Sequence, residues 1–190
     1  MPNTLLRLHT GRSAVVLIDY QQRLLPAIHD HERVLRRAGF IAGVAAELGV
    51  PVIGTAQSPD RLGVNDPLVG THMDEVIEKT AFGACEAGVA DALARLDDAR
   101  GGERLEAVVA GVEAHVCLAQ TALGLIETGR RVWIVADASG SRHQHDRDAA
   151  IARLRDAGAR IVTAEMVAFE WLGTAGHESF KTVSRMVKNL

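Results

Sequence analysis

Little in this sequence marks it for a specialised compartment or a polymeric ligand. Cysteine occurs only at Cys85 and Cys117, too few for the disulfide framework of a secreted scaffold. Aromatic residues make up 4%, which gives no platform for stacking bases. A net charge of −3 supplies no basic surface for nucleic acid or an anionic membrane. No apolar stretch approaches the roughly 18 residues of a membrane span. Residues 1–12 lack the apolar centre of a secretory leader. No Gly-x-Gly-x-x-Gly follows the first apolar run, so no dinucleotide cofactor is expected. These absences point to a cytoplasmic protein acting on a small molecule, with no nucleic acid, membrane or cofactor partner.

What is present reads as one domain over 1–190. The composition is 47% apolar and 24% charged, ordinary for a chain with a real core. Five runs, at 14–18, 51–55, 105–110, 131–136 and 160–163, look like buried strands, and several are continuously apolar and β-branched. Such runs suit parallel strands covered on both faces. A sixth, short strand is expected over 76–79. Helical spacing fills 31–48, 85–96, 114–128 and 146–157, with a last helix in the tail 176–190. Gly49, Gly129 and Gly158 follow helical stretches, where C-terminal glycine caps belong. Alternation of strand and helix predicts an α/β fold: a doubly wound, mainly parallel sheet of about six strands with helices on both faces, a Rossmann-like three-layer arrangement. The long aperiodic segment 56–74 carries Pro59, Gly63, Pro67 and Gly70 and reads as a functional loop.

In open α/β sheets ligands sit beyond the carboxyl ends of the strands. Those ends carry Asp19, Lys79, Asp137 and the turn Gly111-Val112-Glu113-Ala114-His115-Val116-Cys117. That turn places a cysteine where a strand becomes a helix, beside free backbone N–H groups that favour negative charge. Singly, each residue has an ordinary reading. Asp19 could cap a turn, Lys79 could be solvated, Cys117 could be a small core residue, and Asp137 could satisfy nearby amides. Their convergence on one sheet edge raises the catalytic reading.

These residues resemble the isochorismatase-like hydrolases, a superfamily of cysteine hydrolases that includes nicotinamidases and N-carbamoylsarcosine amidase. The motifs are Ala14-Val15-Val16-Leu17-Ile18-Asp19-Tyr20-Gln21, Lys79-Thr80-Ala81-Phe82 and the Cys117 turn. The resemblance is closest to the isochorismatase domain-containing subgroup, through 135–142, 163–165 and 177–181. It implies that Cys117 is the nucleophile, Asp19 the proton carrier, and Lys79 the cation that favours thiolate and keeps Asp19 ionised. It also implies an oxyanion hole of the Glu113 and Cys117 N–H groups, a cis peptide between Val112 and Glu113, and a homo-oligomer. The Asp-x-His metal motif of nicotinamidases is absent from 54–59, so no metal is expected. Retention of Cys117 favours acyl transfer at a C–N bond through a thioester. The alternative is a catalytically vestigial module for binding or assembly. A thiol redox role is a lesser one, since there is no Cys-x-x-Cys pair.

Four other residues or groups were weighed. His143 and His145 are spaced as metal ligands but read as the exposed start of a helix. His115 could face the pocket, but the favoured reading is an exposed first-turn residue. Arg142 could bind an anionic group, but the favoured reading pairs it with an acid in a subunit contact, and Cys85 is expected to be a small core residue.

Overall fold

Runs of Val, Ile, Leu and Ala form six strands: β1 (Ser13–Ile18), β2 (Val52–Gln57), β3 (Glu75–Lys79), β4 (Glu106–Gly111), β5 (Val132–Val135) and β6 (Arg160–Val162). In the computed structural model, which describes residues 6–190, they pair entirely in parallel in the order β3-β2-β1-β4-β5-β6. The first five residues of the expected domain, and of the stretch read for a leader, lie outside the described residues. Every residue of β1 and β4 is buried, as strands that are apolar beyond their first residues, Ser13 and Glu106, require.

The pleat sends alternate residues to opposite faces. Val15, Leu17, Val108 and Ala110 pack with one set of helices, α1 (His31–Glu47), α7 (Ala164–Leu172) and α8 (Phe180–Val187). Ala14, Val16, Ile18 and Val109 pack on the other face with α4 (Ala90–Ala99), α5 (Ala119–Glu127) and α6 (Gln144–Asp156). The doubly wound, three-layer expectation holds, and the short sixth strand is β3. Gly49, Gly129 and Gly158 sit at positive φ, as helix stops do.

Three differences have local causes. The aperiodic segment contains two one-turn helices, α2 (Pro59–Leu62) and α3 (Pro67–Gly70), each opened by a proline. Proline is favoured at a first helical position, where its missing N–H costs nothing. The helix expected over 85–96 starts as a widened turn, Cys85–Val89, because Gly88 takes φ 136. Helix α7 was not anticipated. Its apolar residues surround the axis instead of forming a stripe, and Thr163 caps it by accepting from the Met166 N–H. Among the described residues no helix is long and apolar enough to cross a membrane.

The chain moves outward from β1 through β2 to β3, then returns to place β4 on the other side of β1. The crevice between the carboxyl ends of β1 and β4 is therefore the switch point where such sheets bind ligands.

Candidate active site

Three adjacent strands end in residues with left-handed backbone. Asp19 follows β1 at φ 57, Ser58 follows β2 at φ 40, and Glu113 follows β4 at φ 52. Each conformation costs of order 1–3 kcal/mol for a residue with a side chain. Strain of this kind collects where the surrounding structure holds a site in place.

Asp19 and Lys79 meet as predicted, with neither side chain exposed. Lys79 Nζ donates to Asp19 Oδ2 at 2.7 Å and to Gln57 Oε1 at 2.7 Å. The Thr55 hydroxyl donates to Asp19 Oδ1 at 2.7 Å. Sequence reasoning missed Thr55 and Gln57. They stand two apart on β2, hence on one face. Parallel register sets Thr55 beside Ile18 and Gln57 beside Lys79. Two polar residues at alternate positions near the end of a buried strand were the available signal. Gln21 was missed too; its side chain clasps the backbone of Gln57 and the Gly63 carbonyl.

At the end of β4, Gly111 lets two backbones close together. A Cβ there would lie 2.5 Å from Ile18 Cβ. The Val112 N–H then donates to the Ile18 carbonyl at 3.1 Å. The expected cis bond between Val112 and Glu113 is absent, for the described residues contain no cis peptide. The reversal is made instead by the left-handed backbone of Glu113. A widened turn, Ala114–Leu118, follows and carries Cys117. Such turns interrupt the ordinary helical ladder and recur at functional sites. Among the described residues no acceptor takes the Glu113 N–H.

Cys117 is 4% exposed. Burial, then the negative charge of Asp19, push its thiol up to about 12, and Lys79 only partly offsets them. Lys79 does lower the thiol, as expected of a cation beside it, but it does not outweigh burial and Asp19. At neutral pH the resting group is a thiol facing the Asp19 side chain.

Around this centre, Arg142 Nε lies 3.0 Å from Glu113 Oε1. Arg142 thus has an acid partner within its own chain. His115 Nδ1 is 3.0 Å from the Ser141 hydroxyl, and the ring is only partly exposed, unlike the free first-turn residue expected. Asp137 is structural: its Oδ1 accepts the Ala164 N–H that opens α7. His143 and His145 stack at the start of α6. No group of three or more His, Cys, Asp or Glu able to hold a metal occurs among the described residues. Cys85 is buried, and both cysteines are free thiols. A cavity of about 620 Å³ opens beside Lys79, lined by residues 58–61 and 78–80.

Comparison with known proteins agrees with this layout. A family model described as the isochorismatase domain matches residues 13–166. Isochorismatase domain-containing protein 2 of Homo sapiens is 34% identical over 96% of this chain and 86% of its own length. The MAR1 ribonuclease of Caenorhabditis elegans superposes with a TM-score of 0.86 at 28% identity, covering 96% of this chain and 92% of its own. The YcaC gene product of Escherichia coli, described as an octameric hydrolase of unknown specificity, has a TM-score of 0.85 at 26% identity, over 96% and 90% of the two chains.

Proposed function

Because the chain belongs to the isochorismatase domain family, a family of hydrolases, we propose that it is a cofactor-independent cysteine hydrolase cleaving the C–N bond of a small amide or related substrate. The observation that carries this reading is the buried Asp19–Lys79 pair next to the Cys117 thiol at the switch point. Asp19 takes the thiol proton as sulfur attacks the carbonyl carbon. The oxygen of the tetrahedral intermediate rests on the N–H groups of Glu113 and Cys117. Collapse breaks the C–N bond, Asp19 returns its proton to the departing amine, and a thioester remains. Water, deprotonated by Asp19, then hydrolyses the thioester and restores the thiol. Lys79, hydrogen-bonded to Asp19, holds that carboxyl group in place between these steps. An acceptor already in place suits a thiol that is protonated at rest.

The test is ammonia release from a panel of small primary amides, compared with Cys117→Ala. Loss of release to the uncatalysed level is expected. Undiminished release would remove Cys117 from the mechanism. One relative is named a ribonuclease, so single-stranded RNA belongs in the panel; cleavage of RNA but of no amide would replace the amide reading. A vestigial assembly module draws support from the burial of Cys117 and from the octameric YcaC relative. Inertness of Cys117 to every electrophile would favour it. A homo-oligomer is part of the proposal in either case, and the mass in solution tests it.

A further inference from the structure

Glu113 joins the nucleophile turn through its backbone, yet its side chain has an unexplained feature. The residue is 9% exposed. Its Oε1 is held by Arg142, but its Oε2 is buried with no hydrogen-bond partner. The nearest candidate, His115 Nδ1, is 3.5 Å away and engaged with the Ser141 hydroxyl at 3.0 Å. A ring nitrogen engaged with Ser141 offers Glu113 Oε2 at most a longer, shared contact. Burying an unmet carboxylate oxygen is costly. The charge is felt at the nucleophile, because Glu113 is among the groups that raise the Cys117 thiol. Lys79 offsets Asp19 only in part at the sulfur, and Arg142 is half-exposed, where solvent weakens it. The net field at the sulfur from this side is therefore negative.

We propose that the Glu113 carboxylate is a specificity-determining group: its buried, unmet Oε2 receives an N–H donor or cationic nitrogen that the substrate presents beside its scissile carbonyl, and it rejects substrates with a carboxylate there. The inference rests on Cys117 being the nucleophile of the proposed hydrolase. Glu113 would then act twice, its N–H on the oxyanion and its carboxylate on the neighbouring nitrogen.

Iodoacetamide and iodoacetate test this without a known substrate. The two are nearly the same size and differ in an amide against a carboxylate. Labelling of Cys117 is followed by peptide mass spectrometry, and the ratio of the two rates is referred to that of glutathione. Using the ratio cancels any change in thiol pKa. In the wild-type protein iodoacetamide should be favoured by about tenfold beyond glutathione, the scale of one partly screened charge. Glu113→Gln should bring the ratio close to that of glutathione. Arg142→Gln, which leaves the carboxylate uncompensated, should widen it. Circular dichroism of each variant confirms folding. Cys117 labelled with the same ratio in all three proteins would overturn this inference alone. Cys117 resistant to both reagents would overturn the nucleophile assignment and this inference with it.

Discussion

The two ends of the sheet bury charge in opposite ways. At the amino end, Glu106 is saturated: Arg131 pairs with Oε1 and the Trp133 Nε1–H donates to Oε2 at 2.6 Å. Arg130 and Asp97 pair at 2.7 Å, and Asp97 also accepts the Leu105 N–H. At the carboxyl end, Glu113 keeps an unmet oxygen and Cys117 faces a carboxylate. All four non-glycine residues at positive φ, Asp19, Asp30, Ser58 and Glu113, lie in the described segments that follow strand carboxyl ends. One sheet thus carries a mostly paired polar network at one end, where Arg12 Nε alone lacks a hydrogen-bond partner among the described residues and lies 3.7 Å from Glu106 Oε1, and an unsatisfied, strained one at the other. A polar group whose partners are complete contributes to stability. One left incomplete is available to a ligand.

The largest effect expected from breaking this contrast is Lys79→Met. It strands Asp19 without its cation, and removing one partner of a buried pair costs about 3–5 kcal/mol. Urea unfolding should show that loss. Alkylation of Cys117 should also slow, because Lys79 is the group that lowers its thiol. Glu106→Ala at the other end leaves the Trp133 N–H unmet and should cost about 1–3 kcal/mol. It should leave the alkylation rate of folded Cys117 unchanged. A changed rate would mean that the two ends are coupled, and the division between them would fail.

Opposite pH responses sharpen the same contrast. The Cys117 thiol is raised in the folded chain, from an ordinary 9.0 to about 12. Between these values the unfolded chain has lost its proton and the folded chain has not. Stability is therefore complete below 9 and falls as pH rises toward about 12. Cys117→Ala should flatten that alkaline decline in urea titrations at pH 8 and 10. Asp97 runs the other way. Burial alone would raise its carboxyl, but the Arg130 hydrogen bond and the Leu105 N–H outweigh this and lower it. Its contribution is present above the ordinary value of 3.8 and is lost as pH falls through the lowered one. Asp97→Asn should flatten the acid limb and leave the alkaline one intact. An unchanged alkaline limb in Cys117→Ala would show that other groups, such as the raised Tyr20, carry it.

Most of the sheet was legible because β1, β2 and β4 are buried on both faces, and continuous apolar runs have few other uses. Asp19, Lys79 and Cys117 were legible as residues ending or following strands. Thr55 and Gln57 were not, since their roles depend on parallel register, which no single strand encodes. The ion pair of Arg142 with Glu113 was unreadable for a similar reason: two loops 29 positions apart meet only when β4 and β5 pair. The high thiol pKa was also hidden. A turn at a helix start favours thiolate, and only the packed structure reveals how strongly burial and Asp19 oppose it.

The smallest effect concerns strain itself. Ser58 at φ 40 has no side-chain bond capping α2. Its backbone does the work there, donating to the Lys79 carbonyl at 2.8 Å and accepting from Arg61 and Leu62. Ser58→Gly keeps those bonds and removes the Cβ clash of a left-handed residue, about 1–2 kcal/mol. Greater freedom of the unfolded chain offsets part of that, so a net gain of about 0.5–1 kcal/mol is expected. Gly158→Ala, at φ 100 near the amino end of β6, should instead lose stability, because alanine meets the clash that glycine avoids. Paired thermal melts decide it. A gain at Ser58 with a loss at Gly158 means that strain is held at the carboxyl end and avoided at the amino end. A loss at both would mean that Ser58 is as relaxed as the rest of the fold, and that left-handed backbone at this edge marks turn geometry alone.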